Sequence, residues 1–126
     1  MINVVHIERN EDVRELVSFG LDQDGEFHLR QYKSLDEAIE ECSEDFRPDL
    51  VVTAYTQFIT PSCNAPARAC HQAWEDAKVI YLTAEARPGI HEILMDHGVV
   101  DIITKPFDPM DLPQRLKSFF QEKRSN

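Results

Sequence analysis

Asp49-Leu50-Val51-Val52-Thr53 carries the strongest clue to the architecture. The run is apolar between polar ends, too short for a stable helix and rich in β-branched residues, which suits a strand covered on both faces. Lys78-Val79-Ile80-Tyr81-Leu82-Thr83 has the same character. Strands buried on both sides belong to parallel sheets with helices packed above and below. Both runs are therefore expected to be central strands, with amphipathic helices alternating around them.

Outward from these runs, the alternation holds. Toward the N-terminus, Ile2-Asn3-Val4-Val5-His6-Ile7 reads as a first strand, and Asn10 is the N-cap of a helix burying Val13, Leu16, Val17 and Leu21. A strand over Glu26 to Tyr32 precedes Ser34-Leu35-Asp36-Glu37, a capping box for a helix burying Leu35, Ala38, Ile39 and Cys42. Toward the C-terminus, Ile90, Ile93 and Leu94 mark a fourth helix closed by Gly98, and Val99 to Thr104 gives the last strand. A fifth helix, starting near Asp108-Pro109 with Pro113 in its first turn, is lined by Leu112, Leu116, Phe119 and Phe120. The loop over 55–66 is the least predictable part, with Ser62 or Asn64 as caps of the third helix. Five β/α units of this kind imply an α/β fold, a doubly wound parallel sheet with five helices and right-handed crossovers.

Composition sets the outer limits. A chain of 126 residues, 42% apolar, fits one domain, here 1–122 with a polar tail over 123–126. Acids outnumber Lys and Arg by 23 to 13, and the net charge of −10 would repel a phosphate backbone, so nucleic acid is not an expected partner. The chain begins without a charged-then-apolar leader and has no apolar run of about 20 residues, so a cytoplasmic protein without membrane contact is expected. Cys42, Cys63 and Cys70 are an odd set without CxxC spacing, which points to reduced thiols.

Several residues invite a sharper reading. Cys63, Cys70 and His71 fit no common zinc pattern and are explained by an unusual loop and third helix. Cys42 falls on an apolar stripe, His6 is expected on a strand facing a helix, and His28 and His71 are expected at the surface. His91 and His97 are six apart and do not share one helix face as a metal pair would. A flavodoxin-like cofactor carrier or small enzyme remains an alternative. The chain lacks a Gly-rich phosphate loop, a Walker motif and a nucleophile elbow, and flavin absorbance would reveal the main version.

In an open parallel sheet, chemistry gathers at the carboxyl ends of the strands. Those ends are Glu8-Arg9, Thr53-Ala54, Thr83-Ala84 and Thr104-Lys105-Pro106-Phe107. With His6 to Leu16, Arg47 to Ala54, Val79 to Ala84 and Asp101 to Asp108, they resemble the receiver domains of two-component response regulators, a chemotaxis-regulator-like, flavodoxin-like fold. The resemblance spans nearly the whole chain, with Tyr55 to Asp76 a poor match, and implies the strand order 2-1-3-4-5.

The resemblance also implies a phosphorylation site, and here that site is degenerate. Lys105 matches the family's lysine, Thr83 its hydroxyl residue, and Glu8 one member of its metal-binding acidic pair. Arg9 replaces the second acid, and Ala54 stands at the acceptor position, where a methyl group can neither attack phosphorus nor ligate a metal. Pointing inward, Arg9 would repel a unit charge about 4 Å away by about 4 kcal/mol at an effective dielectric of 20, and a divalent ion twice as much. No functional Mg²⁺ site and no other cofactor are expected. Either Arg9, Glu8 and Lys105 form one ion-paired network, or Arg9 turns to solvent.

Ile102 occupies the family's aromatic switch position, and Pro106 should follow a cis peptide bond. The expected function is that of a non-enzymatic, phosphorylation-independent pseudo-receiver. It would contact a histidine kinase, a phosphotransfer or output protein, or a second copy of itself, through the fourth-helix, fifth-strand and fifth-helix face from Arg87 to Phe120. A phosphorelay receiver using a nonstandard acceptor is the alternative.

Overall fold

The computed structural model describes residues 1–42, 46–54, 65–84 and 99–124. Its elements in chain order are β1 (Ile2–Ile7), α1 (Glu11–Asp24), β2 (Phe27–Tyr32), α2 (Leu35–Glu41), β3 (Leu50–Thr53), α3 (Ala65–Ala73), β4 (Lys78–Thr83), β5 (Val99–Thr104) and α4 (Leu112–Arg124). The helix expected around Ile90 to Gly98 lies outside the described residues, so α4 is the fifth helix of the sequence reading. The five strands form one sheet in the order β2-β1-β3-β4-β5, with every pairing parallel.

Local signals set the helix ends. Asn10 Oδ1 accepts from the backbone N–H groups of Asp12 and Val13, satisfying donors that the first turn of α1 leaves open. Gly25 ends that helix at φ 80°, a left-handed conformation natural to glycine, and its N–H donates to the Leu21 carbonyl. Ser34 Oγ accepts from Glu37 N–H at 3.2 Å, the forward half of the expected capping box.

Each face of the sheet buries its own apolar cluster. Val5, Ile7, Val51, Val79 and Tyr81 pack with Ala38 of α2 and Cys70 of α3 on one side. Val4, Leu50, Val52, Ile80 and Leu82 meet Val17 and Leu21 of α1 and Leu112 and Leu116 of α4 on the other. Fully burying each such side chain stabilises the fold by roughly 1.5–3 kcal/mol relative to leaving it in water. In β5, Val99 pairs with Val79 and Asp101 with Ile80, so Val100 is an inserted residue that turns the strand before it reaches the site.

Two side chains expected in the core are outside it. Leu16 and Ile39 are 45% and 42% exposed, because α1 turns Val13, Val17, Gly20 and Leu21 toward the sheet and α2 inserts Ala38. The last helix also begins later than expected. Asp108 Oδ1 accepts from Met110 N–H and its carbonyl from Asp111 N–H, which makes a separate turn before Leu112.

Gly20 marks where that turn meets α1. A Cβ at Gly20 would lie 2.2 Å from the Pro109 carbonyl oxygen, a backbone atom that cannot rotate away. Gly20→Ala should therefore lose about 1–3 kcal/mol in urea unfolding despite alanine's higher helix propensity. Unchanged or increased stability would mean that the turn yields without cost.

Candidate functional site

The carboxyl ends of β1, β3, β4 and β5 converge through backbone bonds. Ala54 N–H donates to the Ile7 carbonyl at 3.2 Å, and Lys105 N–H donates to the Thr83 carbonyl at 2.7 Å. Parallel pairing places Thr53 opposite both Ile7 and Tyr81. Glu8, Ala54, Thr83 and Lys105, chosen from sequence, thus share one corner of the sheet. The Lys105–Pro106 peptide that closes it is cis.

Glu8 is the centre of the corner. Its side chain is buried, Oε1 accepts from Lys105 Nζ at 2.8 Å, and Oε2 accepts from Asn10 N–H at 3.2 Å. A charged acceptor with two donors is strongly held, more so where water is partly excluded. Arg9 does not join this pair. It is exposed, and among the described residues it has no ion-pair partner. Of the two arrangements the sequence allowed, the Glu8–Lys105 pair with Arg9 in solvent is the one that forms.

The donors do not suit Mg²⁺, the ion that the fold family implies. That hard cation takes oxygen ligands in a near-octahedral shell. Both Glu8 oxygens are already engaged, Ala54 offers a methyl group, and Arg9 offers a cation. Among the described residues, no group of three or more His, Cys, Asp or Glu could hold a metal ion.

Thr83 is buried at the end of β4. Ile102 is buried in the same cluster as Tyr81 and Val99. Its aliphatic side chain therefore has an apolar seat and no hydroxyl with which to reach solvent.

Sequence reasoning missed a clamp behind this corner. Arg14 Nη1 donates to the carbonyls of Glu8 and Arg9 at 2.7 and 3.0 Å, fixing the turn that carries both residues. Gln31 Nε2 donates to the Arg14 carbonyl at 2.8 Å and lies 3.0 Å from His6 Nδ1. A carbonyl can only accept, so it fixes the amide orientation. The amide in turn makes Nδ1 the acceptor and leaves the His6 proton on Nε2. That Nε2 is buried without a hydrogen-bond partner among the described residues. Burial pushes the His6 pKa down to about 4, Glu8 opposes the shift, and the Lys105 and Arg14 cations reinforce it. The available signal was a histidine set between the apolar Val5 and Ile7 of the first strand.

The remaining cysteine and histidine candidates make no centre. Cys63 lies outside the described residues. Cys70 is fully buried, and burial pushes its thiol up to about 12, so it is not a nucleophile near neutral pH. Cys42 is half-buried, with its thiol 3.5 Å from the Tyr32 hydroxyl. His28 is exposed, as expected, but His71 is half-buried, with Nε2 out of contact with water. Its position on α3 directly after core residue Cys70 turns it partly inward.

Comparison with known proteins places this corner in context. No family model matches the chain. The phosphate regulon transcriptional regulatory protein PhoB of Escherichia coli is 29% identical over 119 residues, covering 91% of this chain and 50% of that protein. The chain thus spans about half the length of the curated relatives it matches. A response regulator from Thermotoga maritima superposes with a TM-score of 0.80 at 24% identity, covering 94% of this chain and 96% of the other. HP1043, an orphan response regulator of Helicobacter pylori, superposes with a TM-score of 0.76 at 19% identity, covering 93% and 94% of the two chains. In strand order and in superposition, this chain has the receiver-domain fold of the response regulators.

Proposed function

We propose that the chain is a phosphorylation-independent receiver domain that acts by protein contact in signal transduction and catalyses no reaction. The observation that carries this reading is the Glu8–Lys105 pair beside Ala54. A phosphoryl-accepting receiver needs a carboxylate nucleophile, metal-holding acids and a lysine available to the transferred oxygens. Here the nucleophile is a methyl group, one acid is an arginine, and the remaining acid holds the lysine. Glu8 has both oxygens engaged within the chain, and its pair with Lys105 favours one conformation without a phosphoryl group.

Partner contact is assigned to the face that includes β5 and α4. On it Arg115 grips Asp101 through Nε at 2.5 Å and Nη2 at 3.0 Å, and Nη2 also donates to the Ile102 carbonyl. This fork fixes the surface of β5 against α4. The expected partners are a histidine kinase, a phosphotransfer or output protein, or a second copy of the chain. Among the described residues, no helix is long and apolar enough to cross a membrane.

Intact mass after incubation with a small-molecule phosphodonor and Mg²⁺, with and without a histidine kinase, tests the reading. No added phosphoryl group is expected. A stoichiometric, acid- or base-labile adduct would instead establish a phosphorelay receiver with a nonstandard acceptor.

A further inference from the structure

The corner is electrically unlike the chain around it. The protein has a net charge of −10, yet among the described residues three bases, Arg9, Arg14 and Lys105, gather around Glu8, with Glu11 and Asp12 on the adjoining first turn of α1. Glu8 has both oxygens engaged, and Arg14 Nη1 is committed to two carbonyls. Among the described residues, Lys105 gives one hydrogen bond, to Glu8, and its side chain stays 26% exposed, leaving ammonium protons for another acceptor. Arg9 is exposed, and neither Glu11 nor Asp12 in the first turn of α1 pairs with it. Ala54 is half-exposed at the end of β3, and its side chain stops at Cβ without a carboxylate. Among the described residues, the corner therefore holds two cations, Arg9 and Lys105, with capacity for a further anion.

We propose that a partner protein supplies that anion, as an aspartate or glutamate side chain that enters beside Ala54 and pairs with Arg9 and Lys105. The proposal rests on reading the domain as an unphosphorylated protein-contact module and specifies the chemistry that this module recognises. Two features favour a carboxylate. It is planar, and its two oxygens match the guanidinium fork of Arg9. It also carries a single charge, which a corner with one unpaired arginine and one shared lysine can balance. The surrounding negative field disfavours long acidic tracts. The expected partner surface thus presents one acidic side chain on an otherwise neutral or basic patch.

Sodium acetate is the probe, exchanged for chloride at constant ionic strength and followed by NMR of the Ala54 and Lys105 amides and the Arg9 side-chain Nε. Saturable shifts are expected, with a dissociation constant on the order of 100 mM, as two partly exposed ion pairs allow. Arg9→Ser should weaken binding about threefold, within the range for the loss of one such pair. Ala54→Asp should abolish it by filling the position from within the chain. Shifts that do not saturate, or that are unchanged in Arg9→Ser, overturn the proposal. So does tighter binding of inorganic phosphate than of acetate, which would make the corner a phosphoryl-anion site. A phosphoryl adduct in the mass measurement would overturn the functional reading itself. A silent mass measurement without saturable acetate shifts would overturn only this proposal.

Discussion

Ala54→Asp combined with Arg9→Asp is expected to restore phosphoryl uptake from a small-molecule donor by orders of magnitude over the unchanged protein, whereas Ala54→Asp alone should restore little. The first substitution supplies the carboxylate nucleophile that Ala54 cannot be. A nucleophile alone is not enough, because the charge on the transferred group must be neutralised by a metal ion. In the single variant a metal would have to take Glu8 from Lys105 and gain a second carboxylate beside the Arg9 cation. Arg9 is exposed, so its repulsion of a unit charge at 4 Å lies nearer about 1 kcal/mol than the 4 of a drier site. The missing ligand is thus the larger defect. Intact mass and a Mg²⁺ titration of both variants measure the difference. Equal phosphorylation of the single and double variants would show that Arg9 is no obstacle.

Mild acid is expected to weaken the fold through His6. The ring is fully buried and its pKa lies at about 4, against an ordinary value of 6.5 in the unfolded chain. Between those values the unfolded state binds a proton that the folded state refuses. The His6 contribution is therefore fully present above pH 6.5 and is lost as pH falls toward 4. The gap corresponds to about 3 kcal/mol, a large part of a small domain's stability. Structure gives the reason for the refusal. Protonating Nδ1 would set two donors, its own N–H and that of Gln31, against each other, and turning the amide would aim its oxygen at the Arg14 carbonyl. Urea unfolding at pH 7.5 and 4.5 should show a fall in wild type about 2–3 kcal/mol larger than in His6→Val, which cancels the carboxylate titrations common to both. Equal falls would remove His6 as the cause.

Much of the fold was legible because its signals are local. β4 and β5 have the bounds that their apolar runs suggested, and the caps at Asn10 and Ser34 act within three residues of themselves. Leu16 and Ile39 were misplaced because helical spacing allows a wider apolar stripe than the sheet covers. Residues of the corner could be named through resemblance, but whether Arg9 would join Glu8 and Lys105 could not. The His6, Gln31 and Arg14 clamp escaped for a different reason. Gln31 stands 25 positions from His6 and 17 from Arg14, and no spacing rule joins a central strand, its edge neighbour and a helix carbonyl.

The reach of the Glu8–Lys105 pair along the chain bears on how the molecule assembles. Its members are 97 positions apart, and β1, which Glu8 directly follows, lies between β2 and β3 in the sheet, with β4 and β5 beyond β3. A contact of that separation is rewarded only after the loop between its ends has been closed. As the chain leaves the ribosome, its first half can align three strands while Glu8 faces an incomplete corner, an acid without its countercharge. The countercharge for Glu8 thus comes from the residue that follows the last strand of the sheet to be synthesised.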